Sequence, residues 1–175
     1  MAGGEGKRLR PLTDHVPKPL LEVGGKPIIE YNIKRLAKVG VKNIFLSINY
    51  LGEQLIEYFG NGSNEGLNIR YVKENKPLGT IGSILLVDSF EHDDIIVMNS
   101  DLLTNIDFAD FYNLFKAKDA DMAVATTSYQ VDIPYAILEV NAFNQVKSLK
   151  EKPRYTYYSN AGIYILKKYL WLLFN

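Results

Sequence analysis

A chain of 175 residues is long enough for one domain with a proper core, and its 20 basic and 20 acidic side chains cancel. That balance removes any global electrostatic case for nucleic acid or a membrane surface. With 47% hydrophobic and 12% aromatic residues the chain is too apolar for disorder, and the absence of cysteine excludes disulfides and thiol chemistry. No apolar run of about 18 residues and no signal-peptide pattern is present, so a cytoplasmic protein is the default expectation.

The densest chemistry lies at the start, in MAGGEGKRLRPLTDHVPKPLL. Gly3, Gly4 and Gly6 are followed by Lys7, Arg8 and Arg10, and Pro17 and Pro19 bracket Lys18. Glycines let backbone N–H groups approach a ligand closely, and successive N–H groups form an anion-binding concavity. The prolines stiffen the backbone that presents the Lys18 ammonium. The stretch reads as a triphosphate cradle. A P-loop is excluded, because with Gly6-Lys7 as its G-K the hydroxyl position is Arg8. The dinucleotide fingerprint G-x-G-x-x-G fails as well, because its third glycine falls on Leu9. That argues against a dinucleotide-dependent oxidoreductase.

Next, Val23 to Pro27 reads as a turn, and Ile29, Ile33, Leu36 and Ala37 have the spacing of an amphipathic helix that ends near Gly40. Lys34, Arg35 and Lys38 read as its solvated face. Asn43 to Asn49 is a buried strand, residues 53–59 a short helix, and Ile69 to Glu74 an alternating strand. Strands separated by helices predict parallel βαβ units with ligands at the carboxyl ends of the strands. Glu74-Asn-Lys-Pro-Leu-Gly-Thr-Ile-Gly-Ser83 then joins a strand to a helix through Ile84, Leu85 and Val87, with Thr80 as its cap.

Ile95 to Met98 is apolar at every position and predicts a central strand buried on both faces. Asp101 lies just past its carboxyl end, where it suits either an Mg²⁺ ligand or a cap. Asp107 predicts the N-cap of a helix whose Phe108, Phe111, Tyr112 and Phe115 have core spacing. From Asp121 the pattern changes to strands: Met122 to Tyr129, Tyr135 to Val140, and Gln145 to Leu149 after a hairpin-like turn. His15 and His92 lack metal-ligand spacing and read as surface or loop residues. The chemistry-bearing segments that remain are Lys150-Glu-Lys-Pro153 and Asn160-Ala-Gly-Ile-Tyr-Ile165.

Taken together, these segments resemble the sugar-nucleotide nucleotidyltransferases. Segments resembling the family's A-G-G-x-G-[ST]-R-L-x-P-L-T…P-K-P, E-x-P-L-G-T-A-G, [NG]-[GS]-D-x-L-T, E-K-P and N-[AT]-G-I-Y follow one another here in family order, with Lys7 in place of the usual small hydroxyl residue. The resemblance implies a three-layer α/β/α Rossmann-like fold with a mainly parallel mixed sheet and a small β insertion for the sugar. It implies one domain over residues 1–175, with a nucleotide-binding part in 1–104 and a sugar-phosphate-binding part in 121–166. It also implies a fragment, lacking the first strand and a C-terminal segment.

By the same resemblance the reaction is Mg²⁺-dependent nucleotidyl transfer from an NTP to a sugar 1-phosphate, with Arg8, Lys18 and Asp101 catalytic and Asp101 on the metal. Ala2, Gly3, Gly4, Gly6, Lys7 and Arg8 would cradle the phosphates, and Leu78, Gly79 and Thr80 would flank the base. Tyr135, Ala136, Glu151, Lys152 and Asn160 would take the sugar phosphate, with Ala136 standing where the family usually has glycine. The motif set looks most like the branch that makes GDP-sugars, which favours GTP and leaves dTTP and UTP open. A second metal-binding aspartate, which the family carries in a W-x-D-x-G-type segment, has no counterpart before Asn175. Nucleotide binding without full activity, or a non-catalytic regulatory paralogue, is therefore the competing expectation. The resemblance is compatible with a homo-oligomer and with regulatory modules outside this chain.

Overall fold

The computed structural model describes residues 2–4, 6–76, 78–79 and 81–173. It divides into two compact units, one formed by residues 1–123 with 162–175 and the other by 124–161. Among the described residues no helix is long and apolar enough to cross a membrane.

The first unit begins with the glycine loop and a single 3₁₀ turn at Lys7–Leu9. A two-residue hairpin follows, β1 (Glu22–Val23) against β2 (Lys26–Pro27), turned by Gly24 and Gly25 at φ 61° and 78°. Helix α1 (Ile28–Lys38) buries Ile29, Ile33 and Leu36, as their spacing requires. Strand β3 (Asn43–Ile48), helix α2 (Gly52–Phe59) and strand β4 (Asn68–Lys73) form a parallel βαβ unit, in register from Asn43↔Asn68 to Ile48↔Lys73. Its core packs Ile29 and Ile33 on Ile44, Leu46 and Ile48, with Leu55, Leu67 and Ile69.

Strand β5 (Asp94–Met98) and helix α3 (Phe108–Ala117) follow. Asp107 caps α3 by accepting from the Asp110 amide at 3.0 Å, and Phe108 and Phe115 are its buried residues. Strand β6 (Met122–Asp132) leads into the second unit, and β9 (Arg154–Lys167) returns from it. The C-terminal half of β9 pairs antiparallel with β5, from Met98↔Ile163 to Asp94↔Lys167. A second core joins Ile84, Ile95, Val97, Tyr164 and Leu166 to Trp171 of the closing helix α4 (Lys168–Leu172). In the second unit β7 (Ile137–Val140) and β8 (Val146–Lys150) form an antiparallel hairpin. Asn141 closes it by accepting from the amides of Phe143 and Gln145 at 2.9 and 3.0 Å.

Three sequence expectations change. Residues Gly82–Leu86 form a 3₁₀ turn, not an α-helix. Five residues are too few to repay helix nucleation, and the Ile84 carbonyl is engaged at 3.0 Å by the indole N–H of Trp171. Arg35 is not solvated: it is half-buried and donates to the Thr104 and Ile106 carbonyls, the latter at 2.5 Å. Strand β5 is not central among the described residues, because only β9 pairs with it; Ile95 and Val97 are buried while Ile96 and Met98 are half-buried.

Glu30, buried in α1, accepts from Lys34 Nζ at 2.5 Å and from the Tyr58 hydroxyl at 2.7 Å. The Lys34 and Tyr58 bonds hold its carboxyl below the usual range, and the bond to Glu30 pushes the Tyr58 hydroxyl up to about 12. The lowered Glu30 contributes stability above its unfolded pKa that is lost as pH falls through its folded one. The raised Tyr58 contributes below pH 10 and loses that contribution as pH rises through about 12. Tyr58→Phe should therefore cost about 1 kcal/mol at neutral pH, and the gap to the wild type should narrow in acid, below the usual carboxylate range, as Glu30 protonates. Urea unfolding of both proteins at the two pH values checks this; a gap independent of pH would refute the linkage to Glu30.

Candidate functional site

The glycine loop is packed from two directions. Gly6 has φ +62°, and a Cβ there would meet Thr13 Cγ2 at 2.9 Å and Lys18 Cβ at 3.3 Å. Thr13 is fully buried and its hydroxyl donates to the Gly6 carbonyl at 3.0 Å. Gly3 lies against β4's end: a Cβ would stand 3.1 Å from Glu74 Oε1 and 3.3 Å from Asn49 Cβ. The Ala2 amide donates to the Ser47 carbonyl at 2.9 Å, and Ala2 is buried. Gly4 differs, since a Cβ there would meet nothing within 4 Å. Of the three glycines, only Gly4 has open space beside it.

Lys18 Nζ pairs with Asp101 Oδ2, bringing together residues 83 apart in sequence. Their side chains are 30% and 23% exposed, so the pair sits at a surface accessible to a ligand. Helix α1 fixes the loop that carries Asp101. Asn32 Nδ2 donates to the Ser100 and Leu102 carbonyls at 3.2 and 2.9 Å, and Arg35 holds the carbonyls of Thr104 and Ile106. From the other side Gly162, at φ +74°, lets β9 pass Asn99: a Cβ there would stand 2.5 Å from Asn99 Nδ2. Ahead of Lys18, the loop 10–16 is pinned by Tyr50, just before α2, on the Asp14 carbonyl at 3.0 Å and by Gln54 of α2 on the His15 carbonyl at 2.9 Å. Lys7 and Arg8 are exposed on the 3₁₀ turn.

Glu74 joins the cradle to the second motif. It is buried, faces Gly3, and accepts from the Leu78 amide at 3.4 Å. Gly79 has φ +77° with open space beside it, and Gly82 lies 3.0 Å, by its would-be Cβ, from Leu78 Cβ. Thr80 lies outside the described residues.

The remaining expected site residues belong to the second unit. The β7–β8 register puts Ile137 opposite Lys150, so Tyr135-Ala136 and Glu151-Lys152 flank the same end of the hairpin. The Ile133 amide donates to the Pro153 carbonyl at 3.1 Å and ties the two segments together. Tyr135, Ala136, Glu151 and Lys152 are exposed, and Lys152 has φ +40°. Asn160 is exposed on β9.

Three residues escaped the sequence reading: Asn32, Arg35 and Glu74. Asn32 had a signal, being a polar residue within the apolar stripe of Ile29, Ile33 and Leu36. Arg35 had none, because its carbonyl partners lie about 70 residues away. Among the described residues no group of three or more metal-ligating side chains is preformed. A single carboxylate nonetheless suits Mg²⁺, which takes few carboxylates and completes its shell with substrate phosphates and water. A cavity of about 930 Å³ lined by β3, β5 and α1 is more apolar than polar, and neither Arg8 nor Lys18 lines it.

The geometry thus joins a glycine loop, a lysine and a strand-end carboxylate at one partly open surface. The nucleotidyl transferase family model matches residues 1–174, and the chain belongs to that family. It is 36% identical over 175 residues to the mannose-1-phosphate guanyltransferase of Schizosaccharomyces pombe, covering 95% of this chain and 48% of that protein. Among solved structures it is similar to HddC from Yersinia pseudotuberculosis, with 30% identity and a TM-score of 0.70, covering 97% of this chain and 75% of that one. HddC has also been solved in complex with GMP-PN, at 28% identity to this chain and a TM-score of 0.69. The chain spans about half the length of the guanyltransferase it matches.

The two glycine environments give opposite outcomes for one substitution. Gly6→Ala meets Thr13 and a left-handed backbone and should cost about 1–2 kcal/mol or more, whereas Gly4→Ala should stay within ~0.5 kcal/mol of wild type. Denaturant unfolding of both variants checks this, and equal losses would refute the packing described.

Proposed function

We propose that the chain binds GTP and a sugar 1-phosphate and transfers the guanylyl group, releasing pyrophosphate, as part of a cytoplasmic sugar-nucleotide enzyme. The observation that carries this reading is the Lys18–Asp101 pair beside Gly6. One cation and one carboxylate meet there at the mouth of a loop rich in backbone donors. Base identity rests on the guanyltransferase relative and on the GMP-PN complex of the structural neighbour.

In the reaction an oxygen of the sugar phosphate forms a bond to the α-phosphorus while the α–β bridging P–O bond breaks and pyrophosphate leaves. The nucleophile is already an anion, so no general base is needed; positioning and charge neutralisation remain. Bound Mg²⁺ supplies additional neutralisation of phosphate charge, and Asp101 is the residue that would hold it. Arg8 takes the β- and γ-phosphates and the departing pyrophosphate. Lys18 turns from Asp101 to the α-phosphate. Leu78, Gly79 and Thr80 flank the base. In the second unit Lys152 holds the sugar phosphate, Glu151 and Asn160 bond sugar hydroxyls, and the Ala136 methyl narrows the pocket beside Tyr135.

Pyrophosphate release, measured with Mg²⁺, five NTPs in turn and a panel of hexose and hexosamine 1-phosphates, tests the proposal. Release with GTP that depends on one sugar phosphate is expected, and Arg8→Ala or Lys18→Ala should lower it ~10²–10³-fold, as for loss of one transition-state donor. A loss under about threefold removes that residue from the mechanism. GTP binding without release for any pair would replace this reading with a non-catalytic nucleotide-sugar binder.

A further inference from the structure

The contact between α1 and the segment that carries Asp101 has a period. Asn32 Nδ2 donates to the carbonyls of Ser100 and Leu102 at 3.2 and 2.9 Å, and Arg35 donates to those of Thr104 and Ile106. Every second carbonyl from 100 to 106 is therefore bonded to the helix. This is the alternation of a strand edge, with side chains in place of a partner strand. Exposure keeps the same period: Ser100 is buried, Leu102, Thr104 and Ile106 are half-buried, and Leu103 and Asn105 are exposed. Asp101 has the parity of Leu103 and Asn105, and it meets Lys18. Close packing contributes little to this frame, because a cavity of about 380 Å³ lined by Tyr31, Asn32, Arg35, Leu103, Thr104 and Asn105 lies along the contact. The four bonds set it.

The core does not call for Asn32. It is 3% exposed within the stripe of Ile29, Ile33 and Leu36, where a leucine would pack with no polar atoms to satisfy. A carboxamide nitrogen carries two N–H donors, and here both go to the carbonyls that flank Asp101. A buried polar group of this kind adds little net stability when bonded; what it supplies is direction. Because side chains alternate along such a segment, a slip of one residue would turn Leu102 toward Lys18 and Asp101 toward α1. We infer that Asn32 is a positioning residue: by holding the carbonyls on both sides of Asp101, it sets the frame in which residue 101, and not 102, presents a side chain to Lys18 and to a bound metal. Arg35 anchors the far end of the segment and leaves the direction of Asp101 to Asn32. This inference rests on the reading of Asp101 as the residue that holds Mg²⁺.

The test is calorimetry of GTP binding with and without Mg²⁺ on the wild type, Asn32→Leu and Arg35→Met, with Asp101→Asn as the reference for loss of the carboxylate. Mg²⁺ should tighten binding about tenfold or more in the wild type, and Asn32→Leu should lose most of that gain, as when a residue that orients a metal ligand is removed. Its metal-free GTP affinity should stay within about twofold of wild type or rise, a split that general loosening of the fold would not produce. Arg35→Met should keep the Mg²⁺ effect. A Mg²⁺ effect intact in Asn32→Leu but lost in Asp101→Asn overturns the inference and leaves the proposed function standing. An effect intact in Asp101→Asn, or absent from the wild type, removes the metal reading and this inference with it. Metal-free and Mg²⁺-dependent affinities that fall together in Asn32→Leu would make the contact structural support alone and overturn the inference. So would an Arg35→Met that loses the Mg²⁺ effect as fully as Asn32→Leu. Should Asn32→Leu not fold, Asn32→Ser, with one hydroxyl donor for two carbonyls, takes its place under the same outcomes.

Discussion

Lys18 and Asp101 come from opposite ends of the first unit's chemistry, and their contact fixes where the glycine loop stands relative to the end of β5. Neither side chain is deeply buried, so the pair contributes little to stability; its importance is positional. Lys18 is aimed by Pro17 and Pro19, both buried, and its Cβ lies 3.3 Å from where a Gly6 Cβ would stand. Asp101 is aimed by Asn32 and by the close passage of Gly162 past Asn99. A cation and an anion held from opposite sides at a partly open surface can each exchange partner for a phosphate-bound species. That makes the pair suited to charged ligands.

The supports of this pair explain a feature of α1. A helix whose apolar face holds Ile29, Ile33 and Leu36 also places Asn32 and Arg35 on the loop 100–106, so the same element packs the core and shapes the site. The loop carbonyls gain donors that a free loop would take from water. Glu74 does related work at the end of β4, touching Gly3 and the Leu78 amide, and so ties the cradle to the second motif.

Local pattern made much of the fold legible. The stripe of α1, the buried run of β3 and the Asp107 cap each follow from residues a few positions apart. What escaped was non-local. The turn at Gly82–Leu86 depends on Trp171, 87 residues from Ile84, and Arg35 looked solvated because its partners lie about 70 residues downstream. That β5 has one partner strand among the described residues is a property of which strands pair, and an apolar run such as Ile95 to Met98 cannot report it. In the candidate site, motif chemistry singled out Lys18 and Asp101 separately, but their direct contact is a product of tertiary structure. Asn32 and Glu74 are polar residues in apolar company, and their burial became interpretable only with their partners in place.

The most direct test of the account is the Mg²⁺ dependence of GTP affinity, measured by calorimetry on the wild type and on Asp101→Asn. If Lys18 passes from Asp101 to phosphate while Asp101 takes the metal, Mg²⁺ should tighten GTP binding about tenfold or more in the wild type. In Asp101→Asn that enhancement should vanish while metal-free binding is kept or strengthened, because Lys18 is released. An enhancement by Mg²⁺ that survives intact in Asp101→Asn would contradict the central place given to this pair.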